Sequence, residues 1–218
     1  MTTILPIKPA AIEAKSFSII ENEFLEQTGR KPGDFSPEQF AVLRRTIHAT
    51  GDFSFAENIR FHGDAIRLAM KALLAGKDIV TDVNMVATGI NKTLLAGWGG
   101  NVCCRIADSE TAELAAREGT TRAEAAIQAA LSEQTGILAI GNAPTALIQA
   151  IAMIEANPSE LGSVVVIGVP VGFVNAVESK ELLNQTDIPH ITALGRKGGS
   201  PVAAAMVNAL VKLAAAQG

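Results

Sequence analysis

Tyrosine is missing from the sequence, and histidine, cysteine and tryptophan are scarce: three, two and one among 218 residues. Each scarcity excludes something. With no tyrosine and three histidines, few side chains can move protons near neutral pH. Acid–base chemistry would fall to His48, His62 or His190, or to a carboxylate, lysine or cysteine with a shifted pKa. Two cysteines cannot build a disulfide scaffold. Cys103 and Cys104 are adjacent, and a strand would point them to opposite faces, so they read as buried free thiols in a reducing cytoplasm. Basic charge is in deficit too: 18 Lys and Arg against 22 Asp and Glu give −4, without the basic footprint of a nucleic-acid binder. Residues 164–171 and 202–216 are the best apolar stretches, but Gly and Pro, or Asn208 and Lys212, interrupt them. Neither approaches the ~18 unbroken apolar residues of a membrane span. The first nine residues lack the basic-then-apolar pattern of a secretory leader. No His or Cys spacing matches a zinc or other transition-metal set.

What is present is apolar and patterned. Hydrophobic residues make up 48% of the chain and charged residues 18%, which excludes a disordered polymer. At about 150 residues per domain the expectation is one domain over residues 1–218. Ile12, Phe17, Ile20 and Phe24 outline an amphipathic helix stopped by Gly29. Ser36-Pro37 opens a second, with a stripe of Phe40, Leu43 and Ile47 and Gly51 at its end. A third runs over about 64–74. Apolar runs at 78–83, 101–106, 136–140, 163–169 and 189–193 then alternate with helical segments beginning near Asn84, Ser109, Thr121, Pro144, Asn175 and Ser200. Continuous apolar runs predict strands covered on both faces, and strand–helix alternation predicts a parallel sheet. The fold class expected is therefore α/β: a three-layer sandwich with a mostly parallel central sheet and helices on both faces. Ligands of such folds sit beyond the carboxyl ends of the strands.

Three loops follow strands and begin helices. Gly141-Asn142-Ala143-Pro144 offers unpaired N–H groups that could hold an anion or simply form a turn. Gly168-Val169-Pro170-Val171-Gly172 lacks the dinucleotide spacing, and Asn175 with Glu178 suggests a capping box. Gly195-Arg196-Lys197-Gly198-Gly199-Ser200-Pro201 places two cations before a helix, with Ser200 as its expected N-cap; it is either an anion trap or a solvated basic loop. Arg44 and Arg45 lie four and three residues before His48 and share a helix face with it. Two cations disfavour a charged imidazole, while the helix C-terminus favours it; an anionic ligand on the arginines would leave a protonated His48 available as an acid. A surface or capping histidine is the alternative.

Taken in order, Ile12-x-x-x-Ser16-Phe17-x-Ile19-Ile20, Arg45-x-x-His48-Ala49, Asp82-x-Asn84-Met85 and Gly141-Asn142-Ala143-Pro144-Thr145-Ala146-Leu147 are family motifs. So are Pro170-Val171-Gly172-Phe173-Val174, Glu178-Ser179-Lys180 and Gly195-Arg196-Lys197-Gly198-Gly199-Ser200. Over nearly its whole length the chain resembles the precorrin-8X (cobalt-precorrin-8) methylmutases of corrin biosynthesis. The resemblance implies an isomerase that moves a methyl group from C-11 to C-12 of the tetrapyrrole, giving hydrogenobyrinic acid or its cobalt form. It implies no cofactor and no metal site, and a cytoplasmic homodimer whose small-molecule partner is the corrin. His48 would be the catalytic acid. Ser16, Arg45, Thr88, Arg117, Asn142, Arg196 and Lys197 would contact substrate, with Arg44 and Lys180 adding charge. A flat apolar ring edged with carboxylates suits an apolar slot with a basic rim and one proton donor. Two alternatives remain on the residues alone: a non-catalytic tetrapyrrole carrier on the same fold, or an unrelated enzyme holding a phosphorylated substrate on the 195–201 loop.

Overall fold

The computed structural model of the chain describes residues 8–217. The leader reading of the N-terminus falls mostly on residues 1–7, outside the described ones. Two helices come first, α1 (Ile12–Thr28) and α2 (Pro37–Thr50). Ser36 caps α2, its Oγ accepting from the Gln39 N–H while Gln39 Oε1 accepts from the Ser36 N–H. Gly51 ends α2 in the left-handed region at φ 66°, where a side chain would be strained. The chain continues through α3 (Phe55–Asn58), β1 (Ile59–Phe61), α4 (Ala65–Leu74), β2 (Asp78–Thr81), α5 (Asn84–Gly89), α6 (Lys92–Gly97) and β3 (Val102–Cys103). The second half is α7 (Ser109–Glu118), α8 (Arg122–Ala130), β4 (Thr135–Ile140), α9 (Pro144–Ala156), α10 (Pro158–Leu161), β5 (Val165–Gly168), α11 (Ala176–Asn184), β6 (His190–Ala193) and α12 (Ser200–Ala215).

The six strands form one sheet in the order β1-β6-β5-β4-β2-β3. All neighbours are parallel except β1, which pairs antiparallel with β6, Ile59 opposite Ala193 and Phe61 opposite Ile191. This edge strand was not expected; three residues are too short to show a pattern. β3 is shorter than the expected 101–106, because only Val102 and Cys103 reach the β2 ladder. Period-two alternation divides the core. Ile137, Ala139, Val165 and Ile167 pack under α2, α4, α5 and α12, with Ile20 and Phe24 of α1 outside them. Leu138, Ile140, Val164 and Val166 pack under α8, α9 and α11. The architecture is the expected three-layer α/β sandwich.

The parallel strands alone, numbered along the chain, lie in the order 2-1-3-4-5. Direction reverses between β2 and β4. The chain leaving β2 enters α5 on one face, and the chain leaving β4 enters α9 on the other. Diverging connections leave a crevice at the carboxyl ends of these two strands, the usual ligand position in such sheets. Helix α2 ends, and α12 begins, near the same edge of the sheet, because Lys197 in the loop before α12 donates to Asp52 and Ser54 just after α2.

Candidate functional site

His48 occupies the last turn of α2 with its ring exposed. Its imidazole meets Phe17 of α1 edge to face, centroids 5.5 Å apart at 79°. Phe17 is a hub: the guanidinium carbons of Arg44 and Arg45 lie 4.2 and 5.1 Å from its ring centroid. The two arginines are not free cations. Arg44 pairs with Glu21, and Arg45 Nη2 donates to Glu13 Oε1 at 2.7 Å. Lys212 of α12 donates to the second Glu13 oxygen at 2.6 Å. Hydrogen bonds from Lys212 and then Arg45 hold the Glu13 carboxyl at about 2. Two α1 carboxylates thus pair with the two arginines that share the His48 face of α2. Arg45, a candidate substrate contact, thus already carries one carboxylate of the protein's own.

Two shallow grooves share His48 as a wall. One, about 210 Å³, is also lined by Ser16, Ile19, Ile20 and Phe53. The other, about 260 Å³, is lined by Arg45, Gly89, Pro201, Ala204 and Asn208. The structure therefore brings Ser16 and Arg45 to His48, and places exposed Thr88 next to groove-lining Gly89. Asn208 was overlooked. Its Nδ2 donates to Gly89 O and its Oδ1 accepts from Asn91 N, both at 2.8 Å, which fixes the end of α5 against α12. The available signal was a lone amide in the apolar run 202–216.

Behind the grooves, the loop after β4 differs from expectation. Asp82, directly after β2 and fully buried, accepts from three successive backbone N–H groups: Gly141 at 3.1 Å, Asn142 at 2.8 Å and Ala143 at 2.8 Å. The anion at this helix N-terminus is the protein's own. Burial raises the Asp82 pKa and the three donors work against that rise. Asn142 keeps its side chain exposed.

In the loop after β6, exposed Arg196 lies over the ring of Phe173, 5.1 Å from its centroid, with no ion pair among the described residues. Lys197 is engaged, donating to Asp52 Oδ2 at 2.5 Å and to Ser54 Oγ at 2.8 Å. Burial works to raise the Asp52 pKa, but Lys197 and Ser54 outweigh it and the carboxyl sits below its usual value. Lys180 of α11 is fully buried and donates to Lys197 O at 2.8 Å; desolvation lowers its pKa to about 8. Two caps need correcting. Gly199, at φ 119°, is the N-cap of α12 and makes no side-chain cap; Ser200 is already helical. Asn175 stands at the N-cap of α11 in the left-handed region (φ 58°) and makes no side-chain cap there; only its carbonyl is used, accepting from Ser179 N at 3.0 Å.

The remaining candidates are not gathered at His48. Arg117 ends α7, which packs on α8 over the opposite face, and its partner is the neighbouring Glu118 at 3.5 Å. His62 and His190 stack at 5.0 Å between β1 and β6, away from the carboxyl ends of the parallel strands. Cys103 and Cys104 are free but half-buried rather than buried. Among the described residues no helix is long and apolar enough to cross a membrane.

The family profile of precorrin-8X methylmutase matches residues 11–213. The cobalt-precorrin-8 methylmutase of Priestia megaterium is 44% identical over 211 residues, covering 96% of this chain and 90% of that protein. The cobalt-precorrin-8 methylmutase of Salmonella typhimurium is 43% identical over 206 residues, covering 94% and 95%. A solved structure described as a precorrin-8X methylmutase related protein superposes with a TM-score of 0.81 at 33% identity, covering 90% of this chain and 99% of that one. The chain belongs to the precorrin-8X methylmutase family.

Proposed function

We propose that the chain is an isomerase that moves the methyl group at C-11 of precorrin-8X, or of its cobalt form, to C-12, with His48 as the acid. The observation that carries this reading is the placement of His48: a solvent-facing imidazole at a helix C-terminus, walling two grooves, with its neighbouring arginines neutralised. Substrate and product are isomers, so any proton lent to the ring must be returned. His48 donates it near the migrating methyl, electron demand in the conjugated ring rises, the C-11–methyl bond breaks as the C-12–methyl bond forms, and the imidazole takes a proton back. Ser16, Arg45, Thr88, Asn142, Arg196 and Lys197 contact the ring or its carboxylates. Arg117 fits best as a contribution from a second subunit, since its own fold carries it to the face opposite His48. A homodimer is supported by the exposed Ile12, Ile19 and Leu25 of α1. We further propose that residues 1–218 act as one domain.

The test is turnover of precorrin-8X followed by the change in its visible spectrum. Wild type should convert it. His48→Ala should lose the ~10²–10⁴-fold that a general acid supplies, while still binding hydrogenobyrinic acid. Near-normal turnover by the variant would remove His48 from the chemistry, and binding without conversion by wild type would favour a carrier.

A further inference from the structure

The crevice between β2 and β4 is where a sheet of this strand order ordinarily receives a ligand's anionic group. Here it is filled from within. Both oxygens of Asp82 are used, one by Gly141 N–H and the other by those of Asn142 and Ala143. Three converging N–H groups make an anion nest at the start of α9. A substrate carboxylate could enter only by expelling a fully buried carboxylate from its donors, and an uncompensated buried charge is costly. The turn has no slack to open elsewhere. A Cβ on Gly141 would stand 2.8 Å from Ser200 Cα, so the turn is wedged against α12, and the Thr121–Thr145 hydroxyl contact at 2.9 Å fixes the first turn of α9 to α8.

We infer that Asp82 is a positioning residue: it closes the crevice to the substrate's carboxylates and, by holding the Asn142 backbone, aims the exposed Asn142 side chain at the ring. This rests on the reading of Asn142 as a substrate contact. The crevice that binds phosphates in other sheets of this order is thereby converted into a fixed mount for one neutral amide. That suits a flat ring better than a point charge would.

A double-mutant cycle tests it. Asp82→Asn keeps the shape of the side chain but turns N–H donors toward N–H donors. It should raise KM about tenfold with kcat changed less than twofold, the pattern of lost uniform binding. Asn142→Ala should do the same. The double variant should be no worse than Asn142→Ala alone, because residues acting through one contact do not add. Losses that multiply to about a hundredfold, or an Asp82→Asn protein with unchanged KM and only a lower Tm, would overturn the inference. If Asp82→Asn does not fold, the wild type still decides. On adding hydrogenobyrinic acid, the backbone amide protons of Gly141 and Ala143 should move far less than the Asn142 side-chain amide, and larger shifts at the Gly141, Asn142 and Ala143 backbone amides than at that side chain would mean that the product has replaced Asp82. A wild type that fails to turn over precorrin-8X would count against the methylmutase reading instead, and the amide resonances would still judge Asp82.

Discussion

The junctions after β4 and after β6 are built from the same parts and reach opposite states. Each is a strand, a glycine-bearing turn and a helix with proline in its first turn, Pro144 in α9 and Pro201 in α12. After β4 the three N–H groups that lead into the helix, those of Gly141, Asn142 and Ala143, are taken by Asp82. After β6 no side chain caps the helix, and the loop presents Arg196 to solvent. The neighbouring strand makes the difference. β2 lies beside β4 and delivers an aspartate at its carboxyl end, whereas β5 lies beside β6 and delivers Val169 and Pro170, whose neighbourhood offers only backbone. Gly199 N donates to Val169 O at 2.8 Å and Gly172 N to Arg196 O at 3.2 Å. The closed junction mounts a neutral side chain, and the open one carries charge. Pro201, at the start of the open helix, lines the same groove as His48.

This contrast can be broken at either junction. Arg196→Ala should have the larger effect, weakening product binding about tenfold and flattening its decline with added salt, since an exposed charge is screened at a Debye length of about 8 Å near physiological ionic strength. Asn142→Ala should weaken binding without changing the salt dependence. Equal salt slopes in the two variants, read by spectroscopic titration, would erase the distinction between a charged and a neutral junction. Lys180→Met should have a smaller effect, on stability. In the folded protein burial holds Lys180 at about 8 against an ordinary 10.5. As pH rises, the native state releases this proton near 8 and the unfolded chain near 10.5. The stabilising contribution is therefore complete above about 10.5 and is lost as pH falls through 8. Urea denaturation at pH 7 and pH 10 should show wild type gaining stability relative to Lys180→Met at the higher pH. The same difference at both would show that Lys180 does not carry a buried charge.

Much of the fold is legible in the residues. Apolar runs gave away β2, β4, β5 and β6, and Ser36, Pro37 and Gly51 bounded α2, because these signals are local. What escaped is long-range. β1 exists only because Ile59 to Phe61 find residues 191–193 on β6. The one-residue error at Ser200 and the left-handed Asn175 are backbone choices that side-chain type does not settle. The site divides in the same way. His48 and Ser16 stand in recognisable motifs, and the structure places both at one groove. The pairings around them do not show: Asp82, itself in a motif, reaches a loop 59 residues on, and Glu13 reaches an arginine 32 residues away. Separations of that size leave no pattern in a single sequence.

The most direct test of the whole account is a crystal structure of the wild-type protein with hydrogenobyrinic acid bound. The account predicts the C-11/C-12 edge of the corrin about 3–3.5 Å from the His48 imidazole. It also predicts a ring carboxylate on Arg196, and Asp82 still bonded to the Gly141, Asn142 and Ala143 N–H groups. A corrin seated away from His48, or one whose carboxylate has taken the place of Asp82, would contradict it.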